Sequence, residues 1–148
     1  MTEFHPKTIP VLLVAAILTL MNTTMPAGEA THILAPCPGS PNCVSSQAVD
    51  REHFTEPLRF TGAASLAWNR LKSALGMEPR LTIVEDTGSH LHAEARSLVF
   101  RFVDDIEFVL EPGKDVIQVR SASRSGYSDF GVNRRRVERL RKAFNEQP

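Results

Sequence analysis

The chain has 148 residues with 17 basic and 17 acidic side chains, a formal net charge of +0. That balance excludes a bulk electrostatic attraction to nucleic acid or acidic membranes from the total charge, and the length allows one ordinary domain with little room for a second. The charges are unevenly spread: six basic residues lie between Arg134 and Lys142 against Glu138 alone, while Asp104, Asp105, Glu107 and Glu111 gather in the centre.

Residues 1–30 read as a signal peptide or membrane anchor. Lys7 precedes the apolar run Ile9–Met21, and small or polar residues follow from Asn22 to Ala30. A run of about 13 residues suits a signal-peptide core better than a full span, which needs ~20. Ala27 and Gly28-Glu29-Ala30 offer cleavage points, although neither is a strong A-x-A site. An uncleaved anchor through residues 9–21 is the rival reading, with the same outward topology. Both place the chain outside the inner compartment, in the periplasm or the extracellular space. A lipoprotein reading at Cys37 fails because Pro36 stands where a small residue is needed.

Residues 31–60 read as an extended arm. Its Cys37-Pro-Gly-Ser-Pro-Asn-Cys43 segment holds both cysteines. In an oxidising compartment such a pair most simply closes a disulfide loop. A redox dithiol departs from C-x-x-C spacing, and a structural zinc would lack two of its four ligands. Ser45, Ser46, Asp50 and His53 also fall in the arm, but without a G-x-S-x-G elbow they read as loop residues.

Residues 61–148 read as an α+β domain. Ala64, Trp68, Leu71 and Leu75 mark one face of a helix over Ala63–Leu75, with Thr61 or Ser65 as its cap and Gly76 as its end. Strands follow at Leu81–Glu85 and Leu91–Arg96, the second extended by Phe100 and Phe102. Asp104-Asp105 interrupts the row before Ile106–Leu110, Glu111–Asp115 turns, and Val116–Ser121 is the last strand. A helix from about Arg134 to Asn145, capped by Asn133, carries Val137, Leu140 and Phe144 on its apolar stripe. The expected fold is about four antiparallel strands flanked by two helices, with an N-terminal Cys-containing arm.

The join between the last strand and helix is the most polar stretch. Arg120–Arg136 packs five arginines and four serines into seventeen residues. Arg120, Ser123, Arg124, Tyr127, Ser128, Asp129, Asn133 and Arg134 are its candidate ligand-binding residues. Guanidinium forks suit phosphate or carboxylate, and N–H groups at the helix start would add a positive end. Gly126 and Gly131 do not make a phosphate loop, since no G-K-[ST] follows. In a strand, Asp105 and Glu107 share a face while Asp104 points away. No calcium-loop pattern surrounds these three carboxylates, and neither a metal nor a cofactor is expected. Pairing with Arg120 and Arg124 would join them and the arginine stretch into one polar network.

Cys37-Pro…Pro41-Asn-Cys-Val-Ser-Ser46, Pro79-Arg80, Phe102-Val-Asp-Asp-Ile-Glu-Phe108 and Val119–Val137 resemble, in order, signature segments of the DUF1499 family, a domain of unknown function. The resemblance runs from about Cys37 to the C-terminus. It implies an exported or membrane-attached protein and brings no established activity. The preferred expectation is a non-enzymatic envelope domain that binds an anionic small molecule, lipid headgroup or protein partner, with no nucleic acid and with membrane association through the N-terminal segment. The alternative is a hydrolase or transferase on an anionic substrate, using Asp104, Asp105 or Asp129 as acid or base.

Overall fold

Alternation along the three central strands divides the sheet into an apolar face, which the helices cover, and a polar face. The computed structural model describes residues 1, 33–98 and 101–147. The expected signal or anchor, from residue 2 on, and Phe100 lie outside them. Among the described residues no helix is long and apolar enough to cross a membrane. Chain order is β1 (Cys43–Ser45), β2 (Leu58–Arg59), α1 (Ala64–Met77), β3 (Leu81–Asp86), β4 (His90–Arg96), β5 (Val103–Glu111), β6 (Val116–Ser123) and α2 (Val132–Asn145).

The sheet runs β1-β6-β5-β4-β3, with β2 also on β6, and every pairing between these strands is antiparallel. The expected α+β class holds, and the four expected strands are β3 to β6. The count rises to six because the arm supplies β1 and β2. Strands of three and two residues carry no readable period, and their partner lies far along the chain, at Cys43↔Ala122 and Leu58↔Ile117.

Two boundaries also differ from expectation. β4 stops at Arg96, where Ser97 and Phe102 close the hairpin by paired bonds: the Ser97 N–H donates to the Phe102 carbonyl and the Phe102 N–H to Ser97 Oγ, both at 2.9 Å. Asp104 and Asp105 do not interrupt β5, which runs straight through them, because each finds a cationic partner on its own side.

Register shows the two faces. Val44, Ser121, Ile106 and Ala93 align across one row, and Cys43, Ala122, Asp105 and Glu94 across the next, which points the opposite way. The first face packs against both helices. Trp68, Leu71 and Leu75 of α1 and Val137, Leu140 and Phe144 of α2 are buried against Leu91, Ile106, Phe108, Ile117 and Val119, each large side chain contributing about 1.5–3 kcal/mol. The indole N–H of Trp68 donates to Asp86 Oδ1 at 2.9 Å, which ties α1 to β3. The Arg70 guanidinium lies 4.7 Å from the Phe144 ring centroid, across the helix pair.

The expected caps of α1 are not used. Ala63 is the N-cap without a side-chain bond, and Gly76 lies inside the helix. The stop is set instead by Pro79, which disfavours helical geometry at Glu78; that residue turns extended at ψ 125°.

Cys37 and Cys43 are joined as a disulfide with Cα atoms 5.7 Å apart, a short ring that stabilises by about 2 kcal/mol. Its other effect is local. Asn42, inside the ring, accepts the Ser123 N–H at 3.0 Å and donates its side-chain amide to the Gly126 carbonyl at 2.6 Å. The disulfide loop thus holds the start of the arginine stretch.

Candidate functional site

The strand-to-helix stretch is organised from beneath. Asn133 has 0% exposure, so its side-chain amide must be fully paired. Its Nδ2 donates to the Asn42 carbonyl at 3.1 Å and to Ser123 Oγ at 3.0 Å. Its Oδ1 accepts from Ser121 Oγ at 2.5 Å and from Arg136 at 2.8 Å. Arg136 continues to Asp104 Oδ2 at 2.6 Å, an ion pair with side chains 8% and 9% exposed. Asp104 is therefore on the helix side of the sheet, and its partner is Arg136 rather than Arg120 or Arg124.

Asn133 does not cap α2. The helix starts two residues before the expected Arg134, with Gly131 in the left-handed region at φ 76°. Asp129 does the capping: its two carboxylate oxygens accept the N–H groups of Gly131 at 2.8 Å and Asn133 at 2.7 Å. The positive helix start expected to receive a ligand anion is thus filled by the protein's own carboxylate.

The other sheet face holds a second network. Arg124 donates to Asp105 Oδ2 and Oδ1 at 2.8 and 2.7 Å and to Glu94 Oε1 at 2.5 Å. His92 Nε2 lies 2.7 Å from Asp105, and Arg120 donates to Glu107 at 3.1 Å. The Arg124 hydrogen bond outweighs burial and holds Asp105 below the usual carboxylate range; it acts likewise on Glu94, and the two carboxylates raise Arg124 further. The single expected network is therefore two, on opposite faces, because Asp104 and its neighbour Asp105 point opposite ways.

Few of the nominated residues remain available. Ser123 accepts from Asn133, and Ser128 Oγ accepts the Phe130 N–H at 3.2 Å. Arg134 donates to the Glu52 and Phe54 carbonyls at 2.6 and 2.8 Å. With Arg141, which donates to Thr55 Oγ1 at 3.2 Å and to the Glu56 carbonyl, it fastens the arm to α2. A cleft of ≈ 250 Å³ beside Arg134 also presents Glu52 and Asp129, a mixed lining that suits no single charge. Tyr127 alone of the eight is largely exposed without an internal hydrogen-bonding role, at 75%.

The arm contains an Asp50–His53 pair, with Nδ1 2.7 Å from Asp50 Oδ1. Its other ring nitrogen faces the Ser40 carbonyl at 3.2 Å rather than a hydroxyl, so the pair activates no serine. Both ring nitrogens meet acceptors, an arrangement that only the doubly protonated ring satisfies. Burial pushes the imidazole down, but the Ser40 and Asp50 contacts overcome it and hold His53 above its ordinary value.

The surface with free cationic capacity lies beside the nominated stretch. Arg80, Thr82, Arg96, Ser97, Leu98 and Arg101 line a groove of ≈ 360 Å³. It adjoins a second of ≈ 220 Å³ whose walls include Asp104, Val132, Arg136 and Arg139. Arg96 pairs with Glu94, and Arg139 with Glu78. Arg80 donates only to the Arg96 carbonyl at 3.1 Å, and neither Arg80 nor Arg101 has a carboxylate partner among the described residues. Both take positive φ, 59° and 54°, at the corner before β3 and the tip of the β4–β5 hairpin. Pro79-Arg80 was legible as a signature segment; Arg101 carried no signal beyond its place between two phenylalanines. Among the described residues no group of three or more His, Cys, Asp or Glu could hold a metal ion.

A family model, DUF1499, described as a protein of unknown function, matches residues 33–144. No curated protein matches the chain.

Replacing Arg136 by Met is expected to destabilise the fold by about 3–5 kcal/mol, because Asp104 is left buried without its counter-charge. An Asp104→Leu/Arg136→Met double variant is expected to recover most of that loss in urea denaturation. A single-variant cost under ~1 kcal/mol would show the pair to be dispensable.

A group held above its unfolded pKa stabilises fully below that value, ~6.5 for histidine, and loses its contribution as pH rises through the folded value. Urea midpoints of the wild type are therefore expected to fall from ~pH 6 to ~pH 8 by more than those of His53→Gln. Parallel profiles for the two proteins would contradict the assignment.

Proposed function

The chain belongs to the DUF1499 family, and we propose that it is an exported, non-enzymatic domain that binds an anionic small molecule, lipid headgroup or protein partner at the strand-to-helix end of its sheet. The observation that carries this reading is the pair Arg80 and Arg101, two exposed guanidiniums in one groove with no carboxylate partner among the described residues. Arginine without an internal anion keeps its full fork for an external one. The junction stretch then acts as the groove's foundation: Arg120, Arg124 and Arg136 are spent on Glu107, Asp105 with Glu94, and Asp104.

The hydrolase or transferase reading has less support. Asp105 is held ionised by Arg124, Asp104 is committed to Arg136, and Asp129 to two backbone N–H groups. None of the three stands free in a cleft as a general acid or base must. Export is supported by the apolar run at 9–21 and by the disulfide, a bond that persists in oxidising compartments.

Titration with glycerol phosphate, followed by NMR of the arginine side chains, is expected to shift Arg80 and Arg101, and an Arg80→Ala/Arg101→Ala variant is expected to bind at least roughly tenfold more weakly. Wild-type spectra unmoved by the titrant would refute the anion site. For export, the full chain expressed in a Gram-negative host is expected in the periplasmic or membrane fraction with its thiols oxidised. Recovery in the cytosolic fraction with free Cys37 and Cys43 would contradict it.

A further inference from the structure

At the same end of the sheet, apolar side chains project into solvent. Phe130 is 87% exposed, Tyr127 75% and Leu98 73%, with Val132 at 38%. They come from two loops and the first residue of α2, which the fold brings together. The Arg124 N–H donates to the Val103 carbonyl at 3.1 Å, which ties the loop after β6 to the β4–β5 hairpin, and Leu98 and Val132 line one groove.

Phe130 is held out by its own backbone. It takes φ 52°, a left-handed conformation that a bulky residue rarely adopts. Gly131 follows at φ 76°, and Asp129 pins the turn through the Gly131 and Asn133 N–H groups. Arg135 donates to the Phe130 carbonyl at 2.9 Å, which ties a guanidinium to the backbone of the same turn. A turn that only decorated the surface could carry a polar residue or glycine at this position without the conformational cost.

Charge around these residues has one available sign. Among the described residues Arg80, Arg101 and Arg135 have no carboxylate partner, whereas Glu78, Glu94, Asp104 and Asp105 are each ion-paired with an arginine and Asp129 caps α2. A soluble anion would use the arginines and leave Phe130, Tyr127 and Leu98 idle. Protruding aromatic and aliphatic tips set among unpaired arginines match a surface that is anionic outside and apolar beneath.

We propose that this end of the domain docks on an anionic phospholipid surface, with Phe130 and Leu98 entering the interfacial layer, Tyr127 at headgroup depth, and Arg80, Arg101 and Arg135 on the phosphates. This rests on the anion-binding reading above and adds the lipid to it.

Core residues run from Leu34 to Phe144, and Thr31–Pro148 is a compact unit by itself. That fragment keeps every core residue among the described residues and leaves out the N-terminal apolar run, a confounding anchor. It is expected to co-sediment with vesicles of phosphatidylcholine mixed with phosphatidylglycerol, to ignore phosphatidylcholine alone, and to be released by salt. A Phe130→Ser variant is expected to lose roughly tenfold in partitioning while keeping its thermal midpoint and its glycerol phosphate titration. Failure of the wild-type fragment to bind the anionic vesicles, or equal binding by the variant, overturns the proposal. If glycerol phosphate still shifts Arg80 and Arg101, that failure leaves the soluble-anion reading standing. A concentration-dependent dimer in sedimentation velocity that the variant abolishes would give the patch to a second copy of the chain, and would overturn the proposal too.

Discussion

Asn133 places a polar amide in the core, at 0% exposure, and the cost of that placement is cancelled only by complete pairing. The pairing dictates the neighbourhood. Asn42 must present a carbonyl, Ser121 and Ser123 must turn hydroxyls inward, and Arg136 must reach the same oxygen. Arg136 in turn needs Asp104 as its counter-charge. One amide therefore fixes the disulfide loop, the end of β6 and the start of α2 relative to one another. The loop that displays Phe130 hangs from this hub, since Asp129 accepts the Asn133 N–H.

The eight arginines near this end of the sheet divide into two kinds. Arg96, Arg124, Arg136 and Arg139 neutralise carboxylates. Arg80, Arg101, Arg134 and Arg135 have no acidic partner among the described residues, and Arg134 spends its donors on the arm's backbone. A chain with formal charge +0 can thus present a locally cationic end, because its acids are consumed in place. Net charge describes the whole molecule and is silent on which charges are already answered.

The long elements were readable because their periods are long. Trp68, Leu71 and Leu75 mark α1, Val137, Leu140 and Phe144 mark α2, β4 and β5 alternate visibly, and β3 shows itself by its β-branched residues. That Arg120 and Arg124 would pair with carboxylates of the 104–107 segment was readable too, from charge alone, whereas the partner of Asp104 was not. What stayed hidden depends on distant contacts. Nothing local tells that Asn133 turns inward to Asn42, ninety-one residues away, or that Asp129 takes the cap that Asn133 was expected to fill. The ligand-facing role assigned to the junction was displaced for the same reason: composition shows where arginines are, and only the fold shows which are spent. Arg101 and Phe130 owe their prominence to left-handed backbone, a property carried by turn geometry rather than by residue type.

The pairing of β1 with β6 carries a consequence for assembly. Cys43 meets Ala122 and Leu58 meets Ile117, so the arm has no strand partner until nearly the whole chain has been made. The hairpins β3–β4, β4–β5 and β5–β6 are local and close cheaply, whereas the arm must close loops of 79 residues at Cys43↔Ala122 and 59 at Leu58↔Ile117. Until it does, one flank of β6 is an open row of backbone donors and acceptors, a template for strand exchange between molecules. The arm is thus the last piece of the sheet to arrive and the one that ends its stickiness, which makes the early-synthesised segment the late-folding guard against aggregation.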